Sequence, residues 1–382
     1  MRPLNNNQKH NLAALVIMQL LVLFALTACA GQAQPEGWSG AVVDADSVYV
    51  GTMEGDVRAL SLKTGETRWI FPLRGEVESD RATYGTPALN GNTLYVGGYD
   101  GHLYSIDTKT GGDLWDILVG AGSHIVGGPA VQGTTVVVPS SDGNIYAYDT
   151  TNGTLIWRFP TDNRVWATPT IVDNHVYVGS LDQKMYALNL NDGTKIWEYS
   201  AGGGITSQVL IDDGRLYFGS FDSTFTALDA VNGKPLWTFD SANSWYWAAP
   251  IKFGESIYAS SMDGNIYMLD ARQGQLKWHF DTGSSIVGTP ALVGDTLAVP
   301  SLNGRVWLID LSNGMERGRC NIGERLRAPI SSQGMFIYFR ATNNTVRSLE
   351  IKTNGFPDEQ WVHYTNDLED PLKRRKSIQP AC

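Results

Sequence analysis

Residues 216–237 read LYFGSFDSTFTALDAVNGKPLW, and residues 136–157 read VVVPSSDGNIYAYDTTNGTLIW. Each line is two β-strands and the start of a third. Apolar side chains alternate at period two, and an Asp-Gly or Asp-Ser pair turns the chain after the first strand. An Asn-Gly pair turns it again before the tryptophan. The same line recurs ending at Trp69, Trp115, Trp157, Trp197, Trp237, Trp278 and Trp361, and a seventh copy carries Gly318 where the indole belongs. A second marker keeps step. Pro87, Pro129, Pro169, Pro250, Pro290 and Pro329 precede successive copies, with Ala41 in the first and Gln208 standing in between the third and fourth of these prolines. A period of about 40 residues belongs to propeller blades. The expectation is an all-β chain: an eight-bladed β-propeller of four-stranded antiparallel blades over residues 41–363. A seven-bladed ring is the alternative, because the eighth copy carries a two-residue insertion after Gly355.

One such sheet cannot bury both faces, so neighbours must cover it. A tryptophan buries roughly 200 Å², worth on the order of 5 kcal/mol at about 25 cal/mol/Å². Trp69, Trp115, Trp157, Trp197, Trp237 and Trp278, one per copy, are therefore expected to dock each blade on the next. The unit A-x-D-x-x-[TN]-G-x-x-x-W is matched in full by Ala227, Asp229, Asn232, Gly233 and Trp237, and by Ala147, Asp149, Asn152, Gly153 and Trp157. It resembles the tryptophan-docking motif of the PQQ-like, or quinoprotein-like, β-propeller repeats, and the resemblance spans roughly residues 41–363.

Residues 1–28 read as an export signal: Arg2 and Lys9 precede an apolar run from Leu12 to Ala28, broken by Gln19 and Thr27. The run ends in Leu26-Thr27-Ala28-Cys29, which resembles the lipobox of bacterial lipoproteins, with Cys29 the acylated residue. Two or more acyl chains anchor firmly where one is marginal. An uncleaved membrane anchor is the competing reading. Residues 29–40 then hold the lipidated cysteine and a flexible tether. Residues 364–382 form a polar, basic tail containing Lys373, Arg374, Arg375 and Lys376. With Cys29 lipidated, Cys320 and Cys382 remain, and sequence leaves their pairing open. The chain carries a net charge of −10; without the segment before Cys29, 27 basic residues face 39 acidic ones. That balance argues against nucleic acid as a partner.

The superfamily includes dehydrogenases that use pyrroloquinoline quinone. The resemblance implies that such enzymes place adjacent cysteines beside the quinone, hold a calcium ion, and build a cleft from large insertions. This chain has no adjacent cysteine pair, and its longest inter-blade segment, about 71–85, exceeds the others by a few residues. Its six histidines (10, 102, 124, 175, 279 and 363) lack metal-ligand spacing, and no G-x-S-x-G, Walker or H-E-x-x-H motif occurs. Glu54, Asp100, Asp142, Asp182, Asp222 and Asp263 recur in the turns after the second strand, where aspartate favours the turn itself. The reading is therefore no catalytic residue, no cofactor and no metal, with a quinone-dependent oxidoreductase as the minor alternative.

Function on a rigid scaffold lives in loops that differ between repeats. The segments before each proline gather Arg81, Tyr84, His124, Arg164, Trp166, Trp245, Tyr246, Trp247, Arg325 and Arg327. Aromatic rings with arginine suit a partner-binding face, and channel-mouth core is the competing role. Lipobox, bare propeller and absent redox equipment together resemble the BamB-type lipoproteins. That resemblance implies a protein-binding scaffold in the cell envelope, facing periplasm or exterior, with envelope proteins or peptides as partners. A glycan-binding or sensor role is the other reading.

Overall fold

The structure, a computed structural model, describes residues 38–75, 81–352, 356–365 and 382. The leader, Cys29 and most of the basic tail lie outside the described residues. Eight four-stranded antiparallel sheets follow one another along the chain. In the first, β1 (Val42–Val43), β2 (Ser47–Gly51), β3 (Asp56–Ser61) and β4 (Thr67–Pro72) lie side by side in chain order. The pattern repeats over 88–118, 130–160, 170–200, 210–239, 251–281 and 291–321, and ends with blade 8 at 331–364. No helix occurs among the described residues. Eight blades are present, so the seven-bladed alternative is discarded.

The two middle strands of each blade are buried on both faces, as the V-Y-V and I-Y-A-L stretches require. Opposite the tryptophan, the third strand presents a small residue in six blades: Ala59, Ser105, Ala147, Ala187, Ala227 and Ser348 face Trp69, Trp115, Trp157, Trp197, Trp237 and Trp361. In blade 7 the order of sizes is reversed, and Leu308 fills the space beside Gly318. A bulge follows this pair in every blade.

Each indole crosses to the next blade. Trp69 donates its N–H to the carbonyl of Thr108 (2.8 Å), Trp115 to Thr150 (3.0 Å), Trp157 to Leu190 (2.7 Å), Trp197 to Ala230 (3.0 Å) and Trp237 to Ala271 (3.2 Å). Trp278 packs without such a bond: its indole nitrogen is buried with no partner. The next blade receives the ring on a turn glycine. Gly193 has φ of +69°, and a Cβ added there would fall 2.6 Å from Cδ2 of Trp157. Glycine is needed at that position for both reasons.

The first strand and the last, Pro357–Tyr364, occupy separate sheets, so the ring closes without a shared strand. Trp361 of blade 8 donates to the carbonyl of Leu62 (3.1 Å), Ser331 Oγ to that of Ala41, and the buried Arg340 to that of Gly51 (3.2 Å). Ala41, Val48, Val50, Leu60, Tyr338, Val346 and Trp361 form one buried cluster across this seam.

Candidate interaction face

The segments between blades lie on one side of the ring, and each is fixed to two turns. Thr161 donates its backbone N–H to Gly143 in the preceding blade, while Arg164, three residues on, accepts from Leu181 in the following blade. Such segments are braced at both ends, which holds the side chains they carry.

These bonds also set the alignment. Arg164 accepts from Leu181, Gly204 from Phe221, Trp245 from Met262 and Arg325 from Thr342. Matched this way, Val209 stands at the place of Pro169, not Gln208, and Pro329 lies one place before that of Pro250. The expected assignment is corrected by one residue in blades 5 and 8. Ile205 and Leu326 are core side chains, 0% and 1% exposed. The positions facing the axis are Trp38, Tyr84, Val126, Trp166, Thr206, Trp247, Val287 and Arg327. All eight line one axial cavity of about 260 Å³.

Aromatic rings run across this face in unbroken succession. Trp245 stacks on Phe221 with centroids 5.0 Å apart, and Phe221 on Trp247 at 5.5 Å. Trp247 meets Trp38 at 6.3 Å over the axis. Trp38 meets Tyr84 edge-on at 4.7 Å, Tyr84 lies 5.0 Å from Tyr99, and Tyr99 stacks on His124 at 3.7 Å. Arg327 sits 5.7 Å from the Trp38 ring and Arg164 6.0 Å from that of Trp166. The Trp166 N–H is held by Ser141 Oγ at 3.1 Å. Trp245 is 48% exposed, and Arg81, Arg164 and Arg325 are exposed beside the row.

Tyr246 does not belong to this face. It is 1% exposed, packs on Phe225 at 5.5 Å and lies against Gly219, where a Cβ would come within 2.1 Å of its own. In a strand-like segment alternate residues point opposite ways, so Trp245 and Trp247 face out while Tyr246 fills core. Trp38, Phe221 and Tyr99 were not singled out from sequence. Trp38 carried a usable signal, since it precedes Ala41 by three residues as Tyr84 precedes Pro87.

The turn aspartates serve their turns. Asp142, Asp182 and Asp263 each accept the N–H two residues on and a tyrosine hydroxyl four residues on, Tyr146, Tyr186 and Tyr267 (2.7, 2.7 and 2.6 Å). For Asp263 burial works to raise the pKa, but the hydrogen bonds from Tyr267, Asn243 and Asn265 outweigh it and hold the carboxyl below its usual range. Asp222 behaves alike through Ser220 and Thr224. Beneath the rim, burial pushes the Arg340 guanidinium down to about 10 against the opposing pull of Glu54 and Asp56. Among the described residues no group of His, Cys, Asp or Glu is placed to hold a metal ion.

Pyrroloquinoline quinone is flat and carries three carboxylates. The cavity lining offers Arg327 as its only cation among the described residues, and Trp38 with Trp247 stands across the axis. The residues present do not fit that group.

The model of the family described as outer membrane protein assembly factor BamB matches residues 27–124, 114–210 and 200–371. Among solved structures, BamB from Moraxella catarrhalis is similar with a TM-score of 0.72 at 19% identity, over 81% of this chain and 95% of that one. The computationally designed Ika8 protein is similar with a TM-score of 0.71 at 17% identity, over 86% and 96%. The quinohemoprotein alcohol dehydrogenase ADHIIG from Pseudomonas putida HK5 is similar with a TM-score of 0.66 at 16% identity, over 79% and 69%. No curated protein sequence matches the chain.

Proposed function

We propose, from the premise that the chain belongs to the family of outer membrane protein assembly factor BamB, that it is an exported, lipid-anchored scaffold whose loop face holds an envelope protein. The observation that carries this reading is the continuous row of rings from Trp245 to His124, set on braced loops and bordered by exposed arginines. Rigid aromatic side chains supply contact area at little entropy cost, and arginine adds directional hydrogen bonds around them. A rim that does not fit the quinone favours binding over dehydrogenation. Cys29 is the anchoring residue in this reading, and the tether before Trp38 joins it to the propeller.

The test is photo-crosslinking in the native cell from a probe at position 166, with and without Trp245→Ala and Trp247→Ala. Central aromatic contacts contribute about 2 kcal/mol or more each, so the double variant should lose captured protein by at least about thirtyfold while keeping its circular dichroism. Equal capture by both forms overturns the reading. Capture of polysaccharide in place of protein moves the assignment to a glycan. Cys29→Ser should release the chain from membranes without altering the fold.

A further inference from the structure

Two joints of the ring differ from the others, and they flank the same blade. Blade 8 meets blade 1 with no connecting chain between them, and blade 7 meets blade 8 without an indole, since Gly318 stands where the other blades carry tryptophan. Cys320, two residues beyond Gly318 in the last strand of blade 7 (Glu316–Asn321), is fully buried. It lies in the cluster that joins blades 7 and 8, with Leu326, Ile337 and Phe339 among its members. Its sulfur is bonded to that of Cys382, with the two Cα atoms 4.5 Å apart.

We propose that the Cys320–Cys382 disulfide is the latch of the propeller: it holds blade 8 in the ring at the joint that lacks an indole. The two cysteines stand 62 residues apart, and every strand of blade 8 lies between them. With the bond made, blade 8 is tied to blade 7 on both sides, by the chain that leaves Cys320 and through Cys382, so it cannot peel away from that neighbour. The bond narrows the unfolded ensemble as well. The same joint reaches the rim, because Arg325 and Arg327, in the segment between blades 7 and 8, follow Cys320 by five and seven residues, and Arg327 covers Trp38 just ahead of the first blade. Forming the bond takes two protons and two electrons from two thiols. The electrons pass by thiol–disulfide exchange to a disulfide-bearing oxidant, which leaves as its dithiol. A latch of this kind belongs to an oxidising compartment. It stands whether or not the rim holds an envelope protein.

The experiment compares hydrogen exchange, followed by mass spectrometry, in the oxidised full chain, the chemically reduced chain and Cys382→Ser. Loss of the latch should raise exchange at least tenfold in 331–364 and 41–51 and leave 170–239 unchanged. Thiol labelling of the native protein should find neither cysteine free. Cys320→Ser buries a hydroxyl and can fail to fold, so Cys382→Ser and reduction carry the test. Unchanged exchange in blade 8, an equal rise in all eight blades, or two labelled thiols in the native protein would each overturn the latch.

Discussion

Gly193→Ala and Trp157→Ala should each destabilise the protein, and together by less than their sum. The indole of Trp157 is 6% exposed and donates to Leu190, and truncating a buried tryptophan to alanine costs about 3–5 kcal/mol. Gly193→Ala places a methyl where φ is +69°, which costs about 1 kcal/mol. The same methyl would meet the indole at 2.6 Å, and overpacking adds about 1–3 kcal/mol. Once the indole is gone the overpacking disappears, so the pair should show a coupling of about 1–3 kcal/mol. Gly133 supplies the control. Its φ is +59° with nothing within 4 Å of an added Cβ, so Gly133→Ala should cost about 1 kcal/mol and add simply to Trp157→Ala. Urea unfolding midpoints at constant slope measure the wild type and all five variants. If the Gly193 pair is additive to within about 0.5 kcal/mol, or if Gly133→Ala costs as much as Gly193→Ala, the indole-on-glycine joint is not what holds blade 3 to blade 4.

Asp182→Ala should cost about 1–3 kcal/mol, because Asp182 accepts from Lys184, Asp162 and Tyr186. Hydrogen exchange at 162–164 should rise in that variant while the turn at 142–144 stays protected. Burial raises the phenols of Tyr148 and Tyr258 to about 12 against an ordinary value of 10. A raised folded pKa favours the native state fully below pH 10 and loses that contribution as pH climbs from 10 to 12. Circular dichroism should therefore fall within that window together with the rise of phenolate absorbance for these residues. Complete phenolate titration at pH 10 with the fold intact would contradict it.

The architecture was legible because a four-stranded blade writes its turns at fixed spacing eight times over, its indole seven times and the small residue opposite it six times. Where one copy departed, its neighbours still set the frame. Single-residue register was not legible in blades 5 and 8: Gln208 and Pro329 look aligned by the proline alone, while the backbone bonds of Gly204 and Arg325 fix the frame one residue away. Three consecutive aromatic residues look like one exposed patch in the sequence, but an extended backbone turns the middle ring, Tyr246, inward. Phe221 and Tyr99 reach the face from turns in separate blades, a proximity that only ring closure creates. The pairing of Cys320 with Cys382 depends on where the last residue ends in space, which no spacing encodes.

The axial rim is a word of eight letters, W-Y-V-W-T-W-V-R, gathered from codons about 40 residues apart. Every letter lies outside the strands of the eight sheets, and only Trp38, Tyr84, Trp247 and Arg327 among them meet as ring or cation neighbours. Recognition on this side of the molecule can therefore drift a sector at a time, and chains of the same build can come to grip different things without refolding.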